Sequence, residues 1–393
     1  MTQTISQPAL AAPQPRLASR RGGLSLRELA MPLALVLICA YFEFRSTKFL
    51  GSRNLSFLAI EVSITGVLAL GMFLIILPGY IDLSAGSGVG LIGGIAAVLV
   101  FQHGWSAPLA LLTAAAVSVT IWALMGTIIV KERVPAFIIT LGGMAAFRGI
   151  HDLVIDDSTI PVTRGSEQNL YSILTTYYLR PAIDLPLVGL VIAAMALASY
   201  LRYRRERQAG EGVDGELAFM HTFIAAQLIL LFVLICNGYR GVPLSAVVLG
   251  ATVLVVYILT RHTPYGRYLY AIGGNEEAAI VSGIPVHKVA IATFALMGVI
   301  VAITAFLQTA YGGYSTPDLG NTMELDAIAA CVIGGTSLKG GRGTVAGVLV
   351  GALIMAALLN GMTLLAVAFE IKLIARGIVL VLAVWADVKL GKK

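Results

Sequence analysis

Apolar runs of about twenty residues, the length at which a helix crosses a bilayer's hydrocarbon core, recur along almost the whole chain. In lipid every backbone polar group must find an internal partner, so only helices and closed barrels can span. The runs are continuous rather than alternating, which selects helices. Only 12% of the 393 residues are charged and 58% are hydrophobic, against roughly 25% charged in a soluble globular chain. The mean hydropathy is +0.88. The chain is therefore expected to be an all-α polytopic membrane protein.

Residues 1–27 are polar and Pro/Ala/Ser-rich, with Arg16, Arg20, Arg21 and Arg27, and read as a flexible basic cytoplasmic tail. No small-x-small site closes the apolar run that follows, so it reads as a retained first span over about 29–44 rather than a signal peptide. Further spans are expected at 56–77, 84–102, 108–130, 134–150, 183–200, 217–236, 243–260, 288–308, 326–333, 345–361 and 371–387. That makes about twelve crossings. The range is ten to twelve, because 134–150 is glycine-broken and could be re-entrant, and 326–333 is short.

With the N-terminus inside, Lys131, Arg133, Arg202 to Arg207, Arg261, Arg267, Lys339, Arg342 and the C-terminal lysines all fall on the cytoplasmic side, as the positive-inside rule requires. Arg45, Lys48 and Arg53 run against it. Both termini are thus expected in the cytoplasm. The net charge of +6 sits in short groups beside apolar spans, a pattern that suits anionic lipid better than nucleic acid.

One stretch breaks the regular pattern. From Phe73 to Gly94 an apolar run meets Pro78 and Gly79, passes through Asp82 and Ser84, and resumes with glycines at 86, 88, 90, 93 and 94. Interior glycines cost a soluble helix roughly 0.5–1 kcal/mol each, whereas in a bilayer they let helices approach closely. Pro78, Gly79, Asp82, Ser84 and Gly86 are accordingly read as a broken crossing in a translocation core. Asp82 or Ser84 is expected to cap the helix that follows. A second polar interruption at 334–347 echoes the one at 79–90, and FRGI at 147–150 echoes ARGI at 375–378, as in transporters built from two related halves. Arg148 and Arg376 are expected to snorkel or to pair with carboxylates.

The polar segment 261–287 is longer than a hairpin needs. Gly273-Gly274-Asn275 reads as a turn into a short helix, Glu276 to Ser282, that Gly283 and Pro285 end. A capped helix held between two spans suits docking of a cytoplasmic partner. The five histidines are dispersed, and the glycine loop 334–344 lacks G-x-x-x-x-G-K-[ST]. The chain itself is therefore expected to be no enzyme and to bind no cofactor or metal. Active transport would draw on another subunit or on an ion gradient, and the scarcity of ionisable residues within the spans favours the subunit.

GYIDLSAGS (79–87), VPAFIITLGGMAAFRGI (134–150), TPYGRYLYAIGGNEEAAIVSGIPV (263–286) and LDAIAACVIGGTSLKGGRGTVAGVLVGALI (325–354) resemble, in order, the permease subunits of bacterial monosaccharide ABC importers of the ribose/xylose/arabinose group. The resemblance implies a type II ABC importer fold in the inner membrane and a second permease copy. It also implies cytoplasmic ATPase subunits that use the ATP, a periplasmic sugar-binding protein and a monosaccharide cargo. It assigns Gly274, Asn275, Glu276, Ala278, Ala279, Gly283 and Ile284 to the ATPase-coupling region, and Asp82, Leu83, Ser84 and Gly86 to the broken span. Tyr80 stands where the family usually has a second glycine, which weakens inference about the solute from this loop. An added hairpin near 183–236 accounts for the length beyond a ribose-type permease, so residues 28–393 form one permease domain.

Overall fold

The structure, a computed structural model, describes residues 26–165, 168–208 and 215–390; most of the basic tail and the last lysines lie outside these residues. In chain order the helices are α1 (Leu26–Ser46), α2 (Ser52–Ile76), α3 (Ala85–Phe101), α4 (Ala107–Lys131), α5 (Ala136–Ile155), α6 (Leu170–Thr176), α7 (Pro181–Gln208), α8 (Gly215–Asn237), α9 (Leu244–His262), α10 (Pro264–Gly274), α11 (Glu276–Val281), α12 (Val286–Gly312), α13 (Met323–Ile333), α14 (Val345–Leu364) and α15 (Phe369–Leu390). Each expected span coincides with one of these helices. Seven of them (α2, α4, α5, α7, α9, α12 and α14) are long and apolar enough to cross a membrane by length and composition. The doubtful stretch at 134–150 is an unbroken helix of 20 residues, α5. Its Gly142 and Gly149 face open space and distort nothing. The other doubtful stretch is the 11-residue α13, which starts three residues earlier than expected.

The core is made by α2, α3, α4, α12, α13 and α14, and the packing is reciprocal. α2 lies against α13 and α14 while α12 lies against α3 and α4; α3 contacts α4 and α5 just as α13 contacts α14 and α15. Small residues set these distances. Phe294 of α12 lies over Gly126 of α4, and Ser118 Oγ donates to the Gly298 carbonyl at 2.7 Å. A side chain at Gly351 would run into the Ala330 carbonyl, so α14 meets α13 nearly backbone to backbone. Lipid supplies no hydrophobic drive between helices, and close packing of this kind takes its place.

The packing offers a counterpart to the first break at a place other than the expected one. The turn at 313–322 leads into α13 as the Asp82 break leads into α3, and carries Asp318-Leu319 where the break carries Asp82-Leu83. The loop 334–344 follows α13 and occupies a different place.

Loops expected on one side of the bilayer contact one another. Ile160–Pro161 (β1) pairs with Tyr314–Ser315 (β4), and Tyr178–Leu179 (β2) pairs with Val242–Pro243 (β3), both antiparallel. Arg164 donates to the carbonyls of Phe101 and Gln102 at 2.6 and 2.8 Å, placing a cation at the negative end of α3. The hairpin α7–α8 joins the body through α8, which touches α2 and β3. Outward-facing Leu190, Leu197, Phe219 and Leu228 are exposed, as lipid-facing positions would be.

Candidate functional site: a backbone junction and an adjoining cavity

α2 ends because Pro78 has no N–H and Gly79 takes a left-handed φ of 93°. The Gly79 N–H returns to the Ile76 carbonyl at 2.8 Å and the Tyr80 N–H to the Ile75 carbonyl at 3.1 Å, closing the helix. The chain then runs without helix or strand to Asp82. That side chain is fully buried: Oδ1 accepts from the Ser84 N–H at 2.8 Å and the Ser84 hydroxyl at 2.6 Å, and Oδ2 accepts from Trp122 Nε1 at 2.7 Å. Three donors offset the several kcal/mol that burying a carboxylate costs. The expected cap is thus altered. Ser84 is the N-cap residue of α3 but its hydroxyl caps nothing, because it is committed to Asp82.

The glycines of α3 are places for neighbours. A side chain at Gly86 would strike the Glu324 carboxylate and the Gly320 carbonyl; one at Gly88 would strike Trp122; one at Gly90 the Leu319 carbonyl. Gly93 receives Thr309, and Gly94 receives His151. The N-terminal ends of α3 and α13 therefore cross in the protein interior.

Three polar interruptions converge at the end of α2. The Gly341 N–H donates to the Leu77 carbonyl at 2.9 Å. A side chain at Gly273 would collide with that same carbonyl and with the Gly341 nitrogen. One at Gly340 (φ 85°) would lie 2.8 Å from the Leu77 carbonyl, 2.9 Å from Gly273 Cα and 3.0 Å from the Gly79 nitrogen. The Tyr270 hydroxyl donates to the Gly343 carbonyl at 3.0 Å. Segments 77–79, 270–274 and 339–343 thus form one backbone junction.

Beyond it, Gly273 and Gly274 close α10 rather than forming a turn, because Gly273 fits the junction only without a side chain. Asn275 then caps α11, its Oδ1 accepting from the Ala278 N–H at 2.9 Å. Gly283, at φ 79°, ends it. Gly274, Asn275, Glu276, Ala278 and Gly283 are exposed, Ile284 is half-buried, and Ala279 is buried against the body. Ile280 and Val281 are also exposed, Val281 at 88%. They were not singled out in the sequence, although two adjacent large apolar residues at the end of a short helix that opens with two glutamates were a readable signal.

A cavity of about 560 Å³ lies between α3, α5 and the turn into α13. Leu83 and Ser87 line it, with Arg148, Asn321 and Glu324. Pro78, Gly79, Asp82, Ser84 and Gly86 do not. Arg148 faces Asp318 at 3.9 Å, and Arg376 Nε lies 3.2 Å from Asp326 Oδ1 while Nη1 donates to Thr322 Oγ1 at 2.5 Å. Both arginines pair with acids, as expected.

A helical bundle with an interrupted span, a cavity at the interruption and a backbone junction leading to an exposed helix is the framework of a multi-pass membrane transport protein. The family model described as branched-chain amino acid transport system / permease component matches residues 54–204 and 171–384. The chain belongs to this family. It is 37% identical over 389 residues to the xylose transport system permease protein of Escherichia coli, covering 97% of each chain. It is 37% identical over 372 residues to that of Haemophilus influenzae, covering 94% of this chain and 98% of the relative. With the ribose import permease protein of Escherichia coli it shares 32% identity over 364 residues, 93% of this chain and 94% of the relative. No solved structure matches.

Proposed function

We propose that this chain is the membrane-spanning subunit of an ATP-driven importer that carries a monosaccharide, D-xylose first among candidates, into the cell by alternating access. The full-length similarity to xylose permeases supports the cargo. The single observation that carries the mechanism is the junction of Leu77, Gly273 and Gly341, which ties an exposed capped helix to the end of the interrupted span.

In this reading α10–α11 is the docking element for an ATPase subunit that binds and hydrolyses the ATP. Val281 and Ile280 are its apolar anchors, and Asn275 and Gly283 hold its shape. ATP-driven closure of the ATPase pair moves α10, the Gly273 contact passes the movement to the ends of α2 and α13, and the cavity changes the side to which it opens. This is a shift between two states and needs no chemistry on the sugar. A second copy of the permease and a periplasmic sugar-binding protein complete the assembly. Twelve crossings, two related halves arranged as in type II importers and cytoplasmic termini fit the helix count, the reciprocal packing and the charge bias.

The test is reconstitution in liposomes with the candidate ATPase and binding protein. Xylose uptake should require ATP on the ATPase side, and an assembled Gly283→Arg variant should hydrolyse ATP without transporting. Uptake by this chain alone on a proton gradient would contradict the reading.

A further inference from the structure

The cavity beside the broken span has an asymmetric wall. Glu324, in the first turn of α13, is only 7% exposed and lines the cavity, and among the described residues no side chain hydrogen-bonds its carboxylate. Its neighbours are each occupied. Asp82 is held by Ser84 and Trp122, Asp326 by Arg376, and Asp318 faces Arg148. A nearly buried carboxylate held by no side chain, with the backbone N–H of its own residue as the donor among the described residues, is costly, and in a bilayer-embedded site it marks a place where something polar arrives.

We infer that Glu324 is the hydroxyl-accepting group of a transit site for a neutral polyhydroxylated solute, held between the starts of α3 and α13. This rests on the reading of the chain as a monosaccharide permease and names the site on its route. A carboxyl oxygen there can accept from a ring hydroxyl. Across the cavity Ser87 donates its hydroxyl proton to the Ser84 carbonyl at 3.0 Å, so it too turns lone pairs outward. Asn321 supplies an amide that can donate as well as accept. Leu83 and Met144 give the apolar wall that ring C–H groups need. The volume of about 560 Å³ falls within the roughly 300–1,000 Å³ of small-molecule sites. Among the described residues no Phe, Tyr or Trp lines it, so retention rests on hydrogen bonds, which suits a site that must release what it receives.

The position also explains two glycines. Gly86 makes room for the Glu324 carboxylate and Gly320 lies against the Gly86 carbonyl. A change in how α3 and α13 cross would therefore move Glu324 relative to Ser87.

The test uses the whole importer in proteoliposomes, comparing uptake of xylose with each monodeoxy-xylose by wild type and by Glu324→Gln. Xylose uptake by Glu324→Gln should fall about tenfold or more, the scale of a lost charged hydrogen bond, while ATP hydrolysis stimulated by the loaded binding protein persists. For at least one deoxy analogue the wild-type discrimination should collapse in the variant, because residue and hydroxyl are partners. Equal loss for every sugar, or uptake within twofold of wild type, would overturn the site and leave the proposed function standing. Absence of ATP-dependent wild-type xylose uptake would overturn both. A second measurement guards against misfolding: with Cys39, Cys236 and Cys331 replaced by serine, xylose should slow thiol modification of Ser87→Cys in the assembled importer. No protection would also overturn the site.

Discussion

The Gly341 N–H donates to the Leu77 carbonyl at 2.9 Å, across 264 positions of sequence, and Gly273 lies against both atoms. Backbone contact of this kind transmits displacement without side-chain slack. At Gly273 even a methyl group has no room, so Gly273→Ala must push the segments apart. Overpacking of a fitted site costs typically 1–3 kcal/mol, and thermal unfolding of the purified protein in detergent should show a loss of that size. Gly274→Ala, whose site is open, should be nearly neutral.

Asp82 and Trp122 form a second buried relationship. Trp122→Phe keeps most of the ring but removes the only hydrogen bond that the described residues make to Asp82 Oδ2, which should cost about 1–3 kcal/mol. Asp82→Asn places an amide N–H₂ against either the indole N–H or the Ser84 donors and should cost a similar amount. The double substitution should be clearly less destabilising than the sum, because the two share one contact. A double-mutant cycle on unfolding midpoints reads this directly.

Arg376 pins the start of α13 through Asp326 and Thr322. The Asp326 and Arg376 side chains are only 7% and 17% exposed. Arg376→Gln should destabilise by about 3 kcal/mol, the low end for breaking a buried pair, since Nε and Oδ1 are close but not aligned as a hydrogen bond. Asp326→Asn in the same chain should recover part of the loss, which unfolding midpoints of the single and double variants would show.

The proposed twelve crossings predict a labelling pattern. With the native cysteines replaced, single cysteines at Arg205, Val281 and Lys339 should react with an impermeant thiol reagent only from the cytoplasmic side. Cysteines at Arg164, Tyr177 and Tyr314 should react only from the other. Reaction of Val281→Cys from the outer side would reverse the orientation.

The helices were legible because hydrocarbon leaves a chain little choice, and runs of apolar residues mark them. The break at Pro78–Gly79, the capped helix at 276–281 and the need of Arg148 and Arg376 for acidic partners were legible for similar local reasons, but not that the acids are Asp318 and Asp326. What could not be read was long-range. Nothing near Asp82 names Trp122, which is forty residues away and makes its contact only once α3 and α4 pack. The glycines of α3 announced close approach without saying that Glu324, Trp122 and His151 would be the visitors. The echo between 79–90 and 334–347 matched composition, whereas the segment that enters a core helix as the first break does is 313–322. Glycine-rich interruptions resemble one another for several reasons, and only contacts tell a repeat from a junction.

The central claim is that the junction couples the exposed helix to the interrupted span. Its most direct test is the number of ATP molecules hydrolysed per xylose imported, measured in proteoliposomes holding the whole importer with Gly273→Ala in place of wild type. The account predicts that hydrolysis continues while import falls, so the ratio rises about tenfold or more. An assembled Gly273→Ala importer with an unchanged ratio and normal uptake would contradict it.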